Sequence, residues 1–315
     1  TENTYRMLSF FFLSLVAAQT LVTQTAAFSF SLQATDRNAV STSPSSSFSS
    51  NHNHPPLIDV SSLQEVDAIS VSTTPYTLTI YGTYASDFNA IEYAQRVRYY
   101  LPLLREKNVE SVNFIVNGSP DAARKLASLT DLPSSIRLLS DVTGAAGRAF
   151  GVRRGWRPDD EQLSPYFKLY MMLFGVGAWA TLPAVIGGYI GNPFTAQPWI
   201  EDAMRTNILK QRFPTSGLKL SDDNEKKIIS NNFANLPVVG SWKRRPLELA
   251  TLRLQNMIGI SFQNWDALKP DDDNLNLLTQ LGGCLVTDSV GKERYKFIDN
   301  GICNVCNFET MLENI

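Results

Sequence analysis

The chain has 315 residues, of which 43% are hydrophobic and 18% are charged, and this balance is typical of a globular protein rather than a disordered one. The formal net charge of −2 argues against a nucleic-acid-binding protein, because such domains are usually distinctly basic. The three cysteines are too few for a secreted disulfide scaffold.

The N-terminal residues are predicted to be a targeting leader. Residues 8–18 form an apolar segment of signal-peptide length, and small residues at positions 25–27 suit cleavage, which predicts a signal peptide over residues 1–27. Residues 28–75 begin with a Ser/Thr-rich tract that cannot bury enough apolar surface to fold, and we interpret them as a transit segment and linker. The leader, with Ala26-Ala27-Phe28 at its junction, resembles the two-part plastid-targeting leader of algae with secondary plastids. An ordinary secretory signal with a disordered linker is the alternative.

Strands and helices are predicted to alternate from residue 76 to residue 150. Residues 76–83 alternate in polarity and are β-branched, which indicates a strand. Asp87 is the predicted N-cap of a helix that runs to about Lys107, although Pro102 is expected to kink or split it. Further strands are predicted at 111–116 and 136–139, and further helices at 119–129 and 144–150. This order indicates a mostly parallel sheet with right-handed crossovers.

The C-terminal part is predicted to complete the same sheet. Residues 283–287 and 293–298 form a predicted hairpin around a turn at 288–291, and Asn307 can cap a closing helix over residues 308–315. We therefore predict a thioredoxin-like three-layer α/β domain over residues 76–315. A long, mostly helical insertion at about 152–280 precedes the hairpin.

The insertion contains two apolar segments of different character. Residues 246–260 begin with a proline in the first turn and predict a core helix. Residues 169–190 carry no charge and are long enough to span a membrane. A single crossing would separate the first three strands from the last two, and Pro183 and four glycines divide the run. We therefore predict a buried or membrane-surface helical hairpin.

Basic residues flank this predicted hairpin. They suit docking on an anionic membrane or on a protein, and a solvated surface is the alternative interpretation. The residues are Arg153, Arg154, Arg157, Lys168, Lys243, Arg244 and Arg245.

Five short segments, spread from the first predicted strand to the start of the predicted hairpin, carry a family resemblance. They are Leu78-Thr79-Ile80-Tyr81-Gly82-Thr83, Ser119-Pro120, Pro165-Tyr166-Phe167-Lys168-Leu169, Arg245-Pro246-Leu247-Glu248-Leu249-Ala250-Thr251 and Gln280-Leu281-Gly282-Gly283. Together they resemble the peroxiredoxin-like proteins of cyanobacteria and plastids, within the alkyl hydroperoxide reductase/thiol-specific antioxidant (AhpC/TSA) family. The resemblance covers roughly residues 76–300 and implies a thioredoxin fold, and the active members of the family imply reduction of peroxides or quinone-type substrates by a thiolate.

The chain departs from this family where the peroxidatic cysteine belongs. Positions 83–88 include Thr83 and Ser86 but no cysteine. A thiolate at the start of the first helix is favoured by the helix dipole, whereas the pKa of a serine hydroxyl is far higher. The two histidines, His52 and His54, lie in a Ser/Asn/Pro-rich stretch, so no histidine is expected to activate such a serine. No catalytic residue is therefore carried over from the family.

The remaining candidates for thiol chemistry are Cys303 and Cys306. They form a Cys-x-x-Cys just before the predicted closing helix, where a redox pair or disulfide switch would lie near a helix N-terminus. Two unremarkable cysteines, one of them packed, are the alternative. A zinc site would need Cys284 as a third ligand and has no histidine to complete it, so we predict no metal or cofactor. Cys284 itself is expected to be a small buried residue.

Two functions remain open from the sequence. One is a binding or accessory protein without catalysis, docked through the 152–280 insertion on a protein partner or thylakoid complex, for example as a photosystem-associated subunit. The alternative is a thiol-dependent antioxidant oxidoreductase working through Cys303 and Cys306. Both place the protein in a secondary plastid, in the stroma or at the stromal face of the thylakoid, with no nucleic-acid partner. Peripheral contact with the membrane is part of the first hypothesis.

Overall fold

The computed structural model describes residues 56–66, 75–210, 218–224 and 226–315. The predicted signal peptide and most of the predicted transit segment lie outside these residues, as do His52 and His54. The described residues belong to a unit that extends from Asn53 to Ile315.

A seven-stranded mixed sheet forms the centre of this unit, and a separate two-stranded sheet lies within the insertion. The strands are β1 (Leu57–Asp59), β2 (Glu65–Val66), β3 (Tyr76–Tyr84), β4 (Val109–Asn117), β5 (Arg137–Asp141), β6 (Leu218–Leu220), β7 (Ile228–Asn231), β8 (Gly283–Asp288) and β9 (Glu293–Ile298). The order across the main sheet is β2-β1-β5-β4-β3-β8-β9, and β6 pairs with β7. Strands β3, β4 and β5 are parallel, whereas β8 runs antiparallel to β3 and to β9. The predicted α/β thioredoxin-like order is therefore confirmed.

Nine helices connect and cover these strands in the described residues. They are α1 (Phe88–Glu106), α2 (Pro120–Thr130), α3 (Ala145–Phe150), α4 (Pro165–Leu173), α5 (Thr181–Val185, continued by a π-helical turn at Ile186–Ile190), α6 (Pro198–Leu209), α7 (Pro246–Glu248, a π-helical turn at Leu249–Arg253, then Leu254–Ser261), α8 (Trp265–Leu268) and α9 (Phe308–Glu313). Short 3₁₀ segments occur at Asn232–Asn235 and Asp272–Thr279.

Helix α1 continues through Pro102 as one element, so the expected split is wrong. Pro102 lies on the exposed side of the helix, while Leu101 and Leu104 on either side of it are buried. Burial of apolar side chains on both sides of a proline can offset the lost backbone hydrogen bond, because each such side chain contributes about 1.5–3 kcal/mol.

The sheet begins earlier in the chain than the predicted boundary at Tyr76. Leu57 is 1% exposed and packs in a core cluster with Ile115 and Leu139. Its strand β1 pairs antiparallel with β5, and β2 pairs with β1 at the edge of the sheet. Part of the predicted linker is therefore folded, because its few apolar residues are enough to extend the sheet by two short strands.

The uncharged segment 169–190 is divided into two short helices, as predicted. Helix α4 ends at Leu173 and α5 begins at Thr181. Between them, Gly175 and Gly177 have φ values of 86° and 70°, a left-handed conformation that glycine adopts without steric cost. Among the described residues, no helix combines the length and apolar character that crossing a bilayer requires.

Candidate functional site

The turn that precedes α1, where a peroxidatic cysteine is expected, is closed to solvent. Thr83 and Ala85 are fully buried and Ser86 is 2% exposed. The insertion covers this turn, because the Ser261 hydroxyl donates to the Ser86 carbonyl at 2.6 Å. A substrate in solvent therefore has no direct path to the side chain at position 86.

Asp87 occupies the N-cap position of α1, as predicted, with an extended backbone. Burial raises the pKa of Asp87 to about 6, and the nearby Thr83 hydroxyl and the first amides of the helix oppose this rise. The side chains at this helix start are thus a buried carboxyl and two buried hydroxyls, a set that offers no nucleophile comparable to a thiolate.

The C-terminal loop returns to the same end of α1. The backbone N–H of Cys303 donates to Asn89 Oδ1 at 2.6 Å, and Asn89 Nδ2 donates to the Gly301 carbonyl at 3.3 Å. Cys303 itself has a left-handed φ of 63°. The fold therefore brings Cys303 to the first turn of α1, beside the turn that lacks a cysteine.

A buried carboxyl group anchors this loop. Asp299 is fully buried, accepting from Tyr93 Oη at 2.6 Å and from Asn89 Nδ2 at 2.9 Å. Burial raises the pKa of Asp299 to about 7, and the bonds from Tyr93 and Asn89 oppose this rise. The loop is thus held to α1 by side chains that are more than two hundred positions away in the sequence.

The two cysteines of the Cys-x-x-Cys face different surroundings. Cys306 is buried, with its Sγ 3.7 Å from Tyr295 Oη and beside the thiol of Cys284, which is buried as predicted. Cys303 is half-buried and lines a cavity on the other side of the loop. All three cysteines are free thiols. Burial, together with nearby Glu92, raises the pKa of Cys303, opposite to the low pKa that the redox hypothesis requires.

The chain was compared with protein-family models, curated proteins and solved structures. A model described as "AhpC/TSA antioxidant enzyme" matches residues 96–301, well over half of the chain. The chain belongs to the AhpC/TSA family. No curated protein and no solved structure gives a significant match. The match begins after the Asp87 turn and ends before Cys303, so the family membership rests on the scaffold and the insertion.

Within this AhpC/TSA domain, the cavity beside Cys303 has a volume of about 200 Å³. Three arginines line it together with Glu92 and Tyr189, a cluster that the sequence reasoning did not identify. Arg96 and Glu92 are four residues apart in α1, which is the spacing of a helical ion pair and the one signal that could have pointed to this site. Arg253 contributes the second partner of Glu92 from α7, with an Nη2–Oε2 distance of 2.5 Å.

The insertion also presents apolar side chains to solvent. Between residues 167 and 194, large aromatic and aliphatic residues are 37–86% exposed. We refer to them as the apolar surface, which consists of Phe167, Tyr170, Phe174, Trp179, Leu182, Ile186 and Phe194. Scattered single apolar residues are normal on a protein surface. Here seven of the thirteen large apolar side chains that are exposed among the described residues fall within this one segment.

The predicted basic flanks of this surface are mostly engaged within the protein. Lys168 is 6% exposed and donates to the Pro158 carbonyl, so it is not part of a docking surface. Arg154, Arg157 and Arg245 form ion pairs with nearby acidic residues, and Arg244 donates to the Gly187 carbonyl. Arg153 and Lys243 are exposed. The positive charge available to an anionic membrane is therefore smaller than the sequence indicated.

Proposed function

We propose that this protein is a binding or accessory member of the AhpC/TSA family that acts without peroxidase chemistry. The observation that carries the proposal is the cysteine-free, buried turn before α1. Peroxide reduction requires an accessible thiolate at this helix start, and here Ser86 is 2% exposed beneath the Ser261 contact. Both the reactive group and the access that it needs are missing from the described turn.

The apolar surface supports a role in binding a protein partner. Trp179 is 65% exposed and Phe194 is 86% exposed, and large aromatic side chains are enriched among residues that contribute most to protein interfaces. Because few of the flanking cations are unengaged, the surface suits an apolar protein contact better than electrostatic binding to lipid. We propose a partner within a thylakoid complex, such as a photosystem assembly.

The proposed location follows from the predicted leader. A signal peptide followed by Phe28 and a Ser-rich tract supports import into a secondary plastid. The stromal face of the thylakoid would then be the place where the apolar surface meets its partner, with any membrane contact being peripheral.

Fractionation of plastids tests this proposal directly. We expect the full-length protein to sediment with thylakoids and to co-migrate with a complex in native gels after mild solubilisation. The double variant Phe174→Ser/Trp179→Ser should shift the protein largely to the stromal fraction. Val290→Ser, which changes an apolar residue that is 80% exposed in the β8–β9 turn, is the control and should leave association unchanged. Recovery of the wild-type protein only in the soluble stroma would overturn the proposal.

The second candidate function is a thiol-dependent oxidoreductase, and the contact between Cys303 and Asn89 favours it. This contact places the backbone of Cys303 at the first turn of α1, and the Cys303 side chain lines the adjacent cavity. The raised pKa of Cys303 argues for slow reaction at neutral pH. Thiol labelling of the wild type and of Cys303→Ser at pH 7 decides the matter. Fast labelling that disappears in Cys303→Ser would support the oxidoreductase, whereas slow labelling that is unchanged by the substitution would exclude it.

A further inference from the structure

The cavity beside Cys303 carries more positive than negative charge. Arg96, Arg244 and Arg253 line it, and Glu92 is the one acidic side chain among the described residues that do so. Three guanidinium groups against one carboxylate leave an excess of two positive charges. A buried ion cluster whose role is purely structural would be expected to come closer to neutrality, because uncompensated buried charge is costly.

The guanidinium group of Arg253 is fixed by packing and hydrogen bonds. It is 4% exposed and packs with its guanidinium 4.2 Å from the centre of the Tyr189 ring and 4.9 Å from that of Trp199. It donates to Glu92 and to the Gly188 carbonyl. A Cβ atom at Gly188 would lie 3.1 Å from Arg253 Nη1, so glycine gives the guanidinium its space.

Arg253 nevertheless retains an unused donor. Its Nε–H has no hydrogen-bond partner among the described residues. A buried donor without a partner is destabilising, because it has lost its hydrogen bond to water without replacement. The arrangement therefore keeps a rigid, almost fully buried cation with unused hydrogen-bonding capacity at the cavity.

Arg244, which is half-buried, also has an unused donor and lines the same cavity. It donates to the Gly187 carbonyl at 2.8 Å, while its Nε–H is buried without a partner in the described part of the chain. Burial and the positive charges of Arg253 and Arg96 lower the pKa of Arg244 to about 10. Like charges are thus gathered around one space instead of being dispersed, an arrangement that a bound anion would relieve.

The remaining lining suits a small polar ligand. Gln197 contributes a buried Oε1 without a partner among the described residues, which can accept from a ligand hydroxyl or a protonated oxygen. Tyr189 Oη lies beside the Cys303 thiol, and Pro183, which is exposed, lies on the lining and provides a rim that reaches the surface. A volume of about 200 Å³ is several times the roughly 30 Å³ that one water molecule occupies.

We propose that this cavity binds a small anion that carries phosphate or carboxylate groups. The forked, always-charged guanidinium group recognises both kinds of oxyanion through paired hydrogen bonds. The donors of Arg244 and Arg253 supply the contacts, and the excess positive charge favours a ligand with two negative charges. The cavity lies at the Cys303 side of α1, so the bound anion would also cover the half-buried thiol.

Calorimetric titration of the full-length protein tests the proposal with two separate probes, inorganic phosphate and succinate. We expect at least one of them to bind, and comparison of the two shows whether phosphate or carboxylate is preferred. Arg244→Gln should weaken binding about ten-fold or more, since it removes a charge-assisted contact worth about 1.5–3 kcal/mol. Lys243→Gln makes the same change of charge at the neighbouring exposed position and should alter affinity less than about two-fold. If Arg244→Gln does not fold, Arg244→Lys retains the charge without the fork and should still weaken binding.

Labelling of Cys303 locates the binding event. At an anion concentration close to the wild-type Kd, the anion should slow labelling of Cys303 in the wild type and in Lys243→Gln, and it should slow labelling much less in Arg244→Gln. Absence of binding by both probes would overturn the proposal. It would also be overturned by equal weakening in the two variants, by unchanged affinity in Arg244→Lys, or by binding that leaves Cys303 labelling unchanged. None of these outcomes depends on thylakoid association, so this proposal and the proposed function can fail separately.

Discussion

Two regions meet at the N-terminal end of α1 and differ in what they offer there. The turn from Thr83 to Asp87 comes directly before the helix and is buried, with hydroxyl and carboxyl side chains. The loop from Asp299 to Cys306 comes from the far end of the chain and brings the backbone N–H of Cys303 to Asn89, while the Cys303 side chain is half-buried at the cavity. The turn occupies the position expected for catalysis but lacks a thiol, whereas the loop has the thiol but places it beside an arginine-lined cavity.

This comparison shows that the expected catalytic position and the available thiol can belong to different segments of one scaffold. The helix dipole at α1 favours an anion from whichever segment reaches it, but it acts only over the first turn. Cys303 reaches the helix through its backbone N–H, which is directed at Asn89, while its thiol faces the cavity. The loop is therefore anchored at the end of the helix, and its Cys303 side chain lines the cavity.

The largest expected effect concerns the buried ion pairs that Glu92 forms with arginines at the cavity. Glu92→Gln should lower the free energy of unfolding by about 3–5 kcal/mol, because Arg96 and Arg253 would remain buried without their counter-charge. Chemical denaturation measures this change. Glu110→Gln, at an exposed position in β4, is the matched control and should change stability by less than about 0.5 kcal/mol. Similar losses in both variants would show that the cluster is not held by Glu92.

The next effect compares the two regions through pH. The pKa of an aspartate in the unfolded chain is 3.8, whereas burial raises the pKa of Asp299 in the folded state to about 7. The folded state therefore binds more protons between these values, and stability should fall by up to about 4 kcal/mol as pH rises through this window. Asp299→Asn should remove this loss. Asp87→Asn should remove a smaller loss, up to about 3 kcal/mol and complete near pH 6.

Thermal or chemical unfolding from pH 4 to pH 8 provides the measurement for both variants. Asp272→Asn, at an exposed position, is the control and should retain the wild-type pH profile. An Asp299→Asn profile that still falls between pH 6 and pH 7 would contradict the assignment of that part of the window to the loop.

A smaller effect asks whether the turn is closed in solution. Ser86→Cys introduces a thiol at the expected catalytic position, but burial should make it label about ten-fold or more slowly than Ser164→Cys, at the exposed start of α4. Peptide mapping by mass spectrometry after alkylation at pH 8 separates these thiols from the native ones. We expect no peroxide reduction by Ser86→Cys. Rapid labelling at position 86 would show that the turn before α1 is open to solvent, contrary to the difference described between the turn and the loop.

The smallest expected effect concerns the helix that follows the loop. Asn307 Oδ1 accepts from the Thr310 N–H at 2.9 Å, so Asn307→Ala should cost about 1 kcal/mol of stability through the lost cap. Glu313→Ala, at an exposed position in the last turn of the same helix, is the control. The denaturation midpoints of the two variants at pH 7 are compared. Equal midpoints would mean that the Asn307 cap does not stabilise the helix after the loop.

Local patterns predicted most of the fold. The alternation in β3, the proline and serine at the start of α2 and the cap at Asn307 all depend on residues within one or two turns, and each was confirmed. The split at Pro102 and the boundary at Tyr76 were wrong, because both were decided by packing against distant parts of the core. The division of residues 169–190 into two short helices was predicted correctly, because Gly175 and Gly177 set the backbone locally.

The sequence by itself determined the order of the strands and helices and the absence of a cysteine at positions 83–88. Only the tertiary structure decided that Cys303 meets Asn89 across 214 positions, and that Arg96, Arg244 and Arg253 share one cavity. The physical reason is that periodicity records which face of a helix or strand is buried, but not what it is buried against. These contacts form only when the strands assemble into the sheet and bring the insertion and the C-terminal loop to the same end of α1.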